Sequence, residues 1–181
     1  MNPSNTNRKP CKFSESLFKK LKETGKTLAF AESITAGNLC AEMVQYAGAS
    51  EILLGGIVAY SNSVKMQMLG VKNETLKTHG AVSEQTVREM VTGLHERIPA
   101  DFCAAVSGIA GPGGGSAEKP VGTVWLGLWT EGVLRTEMKV FEGNRDEIIQ
   151  SCVDWVYTRL LQGSFQNQKD PLSLKENQHY P

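Results

Sequence analysis

The stretch "TLAFAESITAGNL", Thr27 to Leu39, decides the fold. It opens as a short apolar run, Leu28-Ala29-Phe30-Ala31, which reads as a strand over 27–31. It then turns polar at Glu32-Ser33-Ile34-Thr35 and passes through Ala36-Gly37 into Asn38-Leu39. Leu39, Met43 and Val44 recur at helical spacing, so a helix is expected over about 35–46. A strand that runs straight into a helix is the unit of an α/β fold. This one sets a carboxylate and two hydroxyls at the mouth of a helix.

The pattern continues on both sides. Ser14 or Ser16 is placed to cap a first helix with Leu17, Phe18 and Leu21 on one face, and Gly25 is placed to end it. "ILLGGIVAYS", 52–61, reads as a buried strand whose glycine pair signals a bulge or a close backbone approach. Short helices are expected over 62–69 and 73–79, the second stopped by Gly80. Ser83 caps a longer helix with Val87, Met90, Val91 and Leu94 at i, i+3, i+4 and i+7, ending by Pro99. "FCAAVS", 102–107, is a short buried strand, and "GIAGPGGGSAEKP", 108–120, is loop. "VGTVWLGLWT" and "VLRTEMKVFEG" form a hairpin turning at Glu131-Gly132, and a last helix covers about 145–161. Early strands separated by helices imply parallel neighbours, and the hairpin adds an antiparallel element. The expected fold is α/β, a mixed, mainly parallel sheet with helices on both faces.

The chain has 181 residues, enough for one domain with a substantial core. Residues 13–162 are expected to form that domain, with polar tails at 1–12 and 163–181. Lys and Arg number 19, as do Asp and Glu, so no global charge draws the chain to nucleic acid or an anionic membrane. No apolar run has transmembrane length and the N-terminus lacks a signal-peptide core, so a cytoplasmic protein is expected. Cys11, Cys40, Cys103 and Cys152 have no metal-ligand spacing and read as free thiols; neither metal nor cofactor is expected.

Each of the first three strands ends in polar chemistry: Glu32-Ser33-Ile34-Thr35, then Tyr60-Ser61-Asn62 with Lys65 one turn on, then Ser107 and the glycine-rich loop. If the strands are parallel neighbours, these ends meet at the edge where such sheets bind ligands. A serine needs a base to become a nucleophile. Three scattered histidines, His79, His95 and His179, make a Ser-His-Asp arrangement unattractive. Lys65, flanked by Val64 and Met66, is the alternative base once burial lowers its pKa. Tyr60 is placed to bond the same amine, and the amides of the helix after Ser33 to face an oxyanion. Spacing alone favours Ser33 as a helix cap and Lys65 as a surface charge, and it allows Glu32 as a charge at a helix N-terminus. The glycine loop matches neither a P-loop nor the dinucleotide fingerprint, but its exposed amides suit an anion, and Arg145 adds a phosphate fork.

"AESITAG", "GGIVAYSNSVKMQMLGV", "HGAVSEQTVREM" and "VSGIAGPGGGSAEKPVGTVWLGL" resemble, in order and spacing, the C-terminal domain of the CinA family over about 14–161. That family includes stand-alone nicotinamide mononucleotide (NMN) amidohydrolases. The resemblance implies a three-layer α/β/α sandwich and hydrolysis of NMN to nicotinic acid mononucleotide and ammonia. It places the nucleophile on Ser33, the base on Lys65 and an assisting tyrosine on Tyr60. Around the substrate it and the reading above set Glu32, Thr35, Gly37, Asn62, Ser107, Gly108, Gly111, Gly113, Gly114 and Arg145. The expected partner is the small-molecule substrate NMN, with no nucleic acid and no membrane, in a homo-oligomer. The chain departs from the family's usual Ala-Glu-Ser-Cys-Thr-Gly-Gly at Ile34 and Ala36. These changes beside the nucleophile motivate a competing reading, a catalytically silent nucleotide-binding or regulatory module. A third, an interaction protein in DNA uptake or repair, has no support in the balanced charge.

Overall fold

The computed structural model describes residue 11 and residues 13–163. The expected tails lie outside them except for Cys11, which is buried, and Gly163, which closes the last helix. The strands are β1 (Leu28–Glu32), β2 (Leu53–Val58), β3 (Phe102–Gly108), β4 (Thr123–Thr130) and β5 (Val133–Val140). The helices are α1 (Ser14–Thr24), α2 (Asn38–Met43), α3 (Asn62–Leu69), α4 (Asn73–His79), α5 (Glu84–Arg97) and α6 (Arg145–Gly163). The sheet order is β2-β1-β3-β4-β5, parallel across β2-β1-β3 and antiparallel across the last two pairs. Four strands therefore run one way and β4 alone runs against them.

Strand alternation builds the three layers. Leu28, Phe30, Phe102, Ala104 and Val106 pack with α1, α2 and α6, where Tyr157 donates to the Leu39 carbonyl at 2.7 Å. Ala29, Ala31, Cys103 and Ala105 face Met90, Val91 and Leu94 of α5. The small residues on that face let α5 lie close. Its Gly93 touches the end of α3, where an added Cβ would fall onto the Leu69 carbonyl. Gly93→Ala gains about 1 kcal/mol of helix propensity and loses more to overpacking, for a net destabilisation of roughly 2 kcal/mol by chemical denaturation. Unchanged or raised stability would show that α3 and α5 are not held at this distance.

Three expectations need correction. Neither Ser14 nor Ser16 caps α1: the N-cap position is held by Phe13, whose side chain has no capping group. The buried Ser14 hydroxyl instead donates to Glu42 at 2.7 Å. β2 is an edge strand, not a buried one, because among the described residues only β1 pairs with it; Leu54 and Val58 are exposed. Its glycine pair does mark a close approach, since a Cβ on Gly56 would strike the Cys40 sulfur, and the ladder shifts register beside it. α2 starts at Asn38 rather than Thr35 and stops at Met43. Trp155 is buried edge-on against Phe141, so it belongs to the core.

Candidate active site

β1 lies between β2 and β3, so the three polar strand ends do meet. Ser33 extends β1 by one residue, its amide donating to the Val106 carbonyl at 3.1 Å. Alternation then separates Glu32 from Ser33. Ser33 continues the Ala29-Ala31 row toward α3 and α5, while Glu32 turns to the α2 side.

Glu32 is fully buried and accepts from the amides of Gly37 at 2.8 Å, Leu39 at 3.1 Å and Cys40 at 2.9 Å. It does the work expected of an N-cap, from one turn upstream. Ser33 is thereby freed from capping, and 34–37 form a turn with Ala36 at φ 49° and Gly37 at φ 97°. A left-handed alanine costs about 1 kcal/mol, so the departure at Ala36 is a backbone strain in the turn. It is not a narrowing of the cavity, which Ala36 does not line. Ile34 does line it.

α3 delivers Lys65. Ser61 caps it, accepting from the Val64 amide at 3.3 Å, and its inward face carries Lys65 and Leu69. Lys65 is 1% exposed. Its Nζ donates to Ser33 Oγ at 2.9 Å, to the Ala59 carbonyl at 2.7 Å and to the Tyr60 carbonyl at 3.3 Å. Burial pushes the Lys65 ammonium down from 10.5 to about 8. Tyr60 thus reaches the amine through its backbone. Its ring is exposed and its hydroxyl instead accepts from Arg145 Nη2 at 3.1 Å.

Arg145, at the start of α6, also donates to the Gly111 carbonyl at 2.9 Å. Neither Glu142 nor Asp146 pairs with it; among the described residues its guanidinium has no carboxylate partner. The Ser107 hydroxyl donates to the Ala81 carbonyl at 2.7 Å. In the glycine loop the amides of Ala110, Gly111, Gly113 and Gly114 have no acceptor among the described residues.

These groups line one cavity of about 270 Å³. Of the expected residues it gathers Ser33, Tyr60, Lys65, Ser107, Gly108, Gly111, Gly113, Gly114 and Arg145. Four are not on its wall. Glu32 and Gly37 are spent on each other, the buried Thr35 hydroxyl has no partner among the described residues, and Asn62 is exposed at the first turn of α3. Ala81, Val82, Ile109 and Ala110 line the cavity unforeseen, since apolar side chains carry no chemical signal in sequence. Two concavities of about 350 Å³ lie elsewhere, but neither brings a nucleophile to a base. His79 lines one of them, away from Ser33. Among the described residues no group of His, Cys, Asp and Glu is arranged to hold a metal ion.

The family model described as the CinA C-terminal domain matches residues 11–163. The chain belongs to the CinA C-terminal domain family. This CinA domain is 44% identical over 157 residues to the nicotinamide-nucleotide amidohydrolase PncC of Escherichia coli K12, covering 85% of this chain and 94% of that protein. It is 49% identical over 137 residues to a CinA-like protein of Thermotoga neapolitana, covering 76% of this chain. It spans about a third of that longer relative's length, 33%. Among solved structures it resembles competence damage-inducible protein A of Klebsiella pneumoniae with a TM-score of 0.81, at 34% identity over 86% of this chain and 96% of that one. The competence/damage inducible protein CihA of Agrobacterium tumefaciens gives 0.79, at 39% identity over 83% and 92%. The CinA fold seen in those structures is the fold described above, with no helix among the described residues long and apolar enough to cross a membrane.

Proposed function

We propose that this CinA domain hydrolyses the carboxamide of NMN to nicotinic acid mononucleotide and ammonia, with Ser33 as nucleophile and Lys65 as base. One observation carries the reading: a buried lysine amine 2.9 Å from a serine hydroxyl at the wall of a cavity. In the neutral amine, two N–H bonds remain on the Ala59 and Tyr60 carbonyls, and the lone pair is left facing Ser33 Oγ. Ser33 attacks the carboxamide carbon as its proton passes to Lys65. The amides of Gly37, Leu39 and Cys40 are committed to Glu32. Those of Ile34 and Thr35 have no acceptor among the described residues and are the donors left for the oxyanion. Lys65 returns its proton to the departing nitrogen, ammonia leaves, and Lys65 then draws a proton from the water that hydrolyses the ester. The substrate and reaction follow the name of the Escherichia coli relative, 94% of whose length is matched by this chain. Ammonia release from NMN by the purified protein tests the reading; a folded protein that releases none overturns it.

Arg145, which has no carboxylate partner among the described residues, and the open amides of the glycine loop are assigned to the 5′-phosphate. A charged hydrogen bond contributes about 1.5–3 kcal/mol, so Arg145→Ala is expected to lower kcat/KM for NMN by about 10–100-fold. On nicotinamide riboside, which has no phosphate, the same variant is expected to match the unsubstituted protein. Equal losses on both substrates would remove Arg145 from the phosphate site.

A further inference from the structure

We propose that Ser107 discriminates the carboxamide substrate from its carboxylate product, by presenting the cavity with a hydroxyl oxygen that accepts and does not donate. The proposal rests on the amidohydrolase reading for the identity of substrate and product.

The register sets Glu32 opposite Val106, so Ser33 and Ser107 are the next pair on adjacent parallel strands, about 4.8 Å apart across the sheet. Both continue rows, Ala29-Ala31 and Cys103-Ala105, that face α5. Their side chains therefore emerge together on one face, and both line the cavity. Ser107 is 2% exposed.

A hydroxyl has one proton and two lone pairs. The Ser107 proton is on the Ala81 carbonyl at 2.7 Å. That carbonyl sits in a clamped connection between α4 and α5. The neighbouring Gly80 carbonyl accepts from Ser83 Oγ at 3.0 Å and Thr86 Oγ1 at 2.8 Å, and the His79 carbonyl accepts from Lys119 Nζ at 2.7 Å. The acceptor is held, so the rotor is held, and lone pairs are what Ser107 offers the cavity.

A carboxamide bonded through its oxygen to the amides after Ser33 directs its NH2 away from them. That group is a donor and needs an acceptor. The Ser107 oxygen lines the cavity beside the nucleophile, and with its proton on the Ala81 carbonyl it is placed to accept from that NH2. Hydrolysis replaces the NH2 by a carboxylate oxygen, which has no proton. Lone pairs then face lone pairs, and a buried acceptor without a donor weakens binding. The same contact that orients the substrate thus favours release of the acid.

The test measures dissociation constants for NMN and nicotinic acid mononucleotide by calorimetry in the non-turnover Ser33→Ala protein, with Ser107, Ser107→Ala or Ser107→Thr. The expected result is a preference for the amide that Ser107→Ala reduces by about tenfold or more, mostly through weaker NMN binding. Ser107→Thr keeps the preference, because it keeps the hydroxyl. A parallel loss of both affinities in Ser107→Ala, an unchanged ratio, or a preference lost in Ser107→Thr as well would overturn the proposal. Ammonia release by the unsubstituted protein is measured alongside. Its absence defeats the reaction reading, whereas its presence with an unchanged binding ratio defeats the role of Ser107 alone.

Discussion

Replacing Ser33 with alanine is expected to lower ammonia release from NMN by on the order of 10³-fold or more, with the fold intact. Among the described residues the side chain makes one hydrogen bond, to Lys65, and its backbone bond to Val106 needs no hydroxyl. In the proposed mechanism, removing Oγ deletes the atom that would form the acyl bond, while Arg145 and the glycine loop would still hold the nucleotide. The loss should fall on kcat, with NMN binding changed little. Thermal unfolding and calorimetry with NMN check these two points. A variant that keeps near-normal turnover would show that water attacks directly and that Ser33 is a bystander.

Lys65 gives the second large effect. Lys65→Met fills most of the same volume and removes the base, for an expected loss of about 10²–10⁴-fold in kcat. It also leaves the Ala59 and Tyr60 carbonyls without their donor, so some stability is lost too. Lys65→Arg is not expected to restore activity, since a guanidinium stays protonated and cannot take the serine proton. The pH profile separates a base from a mere spacer. Burial lowers the Lys65 ammonium to about 8. Below that pH the amine is protonated and has no lone pair for Ser33; above it the amine is neutral and competent. Thus kcat/KM should rise with pH, reach half its plateau near 8 and level off. A rate that falls as pH rises through this range would mean that the charged lysine is the active form and that the base lies elsewhere.

Much of this site was legible as residue types, and so was the pairing of Ser33 with Lys65, but the remaining partnerships were not. The Glu-Ser pair after β1, the lysine one turn into α3 and the hydroxyl at the end of β3 stood out because polar chemistry at three strand ends is unusual. Period-two alternation already implied that Glu32 and Ser33 leave the strand on opposite sides. It could not say what waits on each side, so Glu32 was read toward the substrate when three amides of α2 claim it. The capping role reasonable for Ser33 fell to Glu32 for the same reason. Ala81 and Val82 were invisible because a carbonyl that fixes a hydroxyl has no side-chain signature.

Local pattern by itself determined the elements. Leu28–Ala31 had to be a strand, Gly25 and Gly80 had to end helices, and Glu131-Gly132 had to turn a hairpin, because these depend on neighbours in sequence. Tertiary structure decided strand order and therefore chemistry. Setting β1 between β2 and β3 brings Lys65, 32 residues from Ser33 in the chain, to 2.9 Å from its hydroxyl. It also buries the amine, and that desolvation, which no local pattern encodes, is what lowers the Lys65 ammonium to about 8.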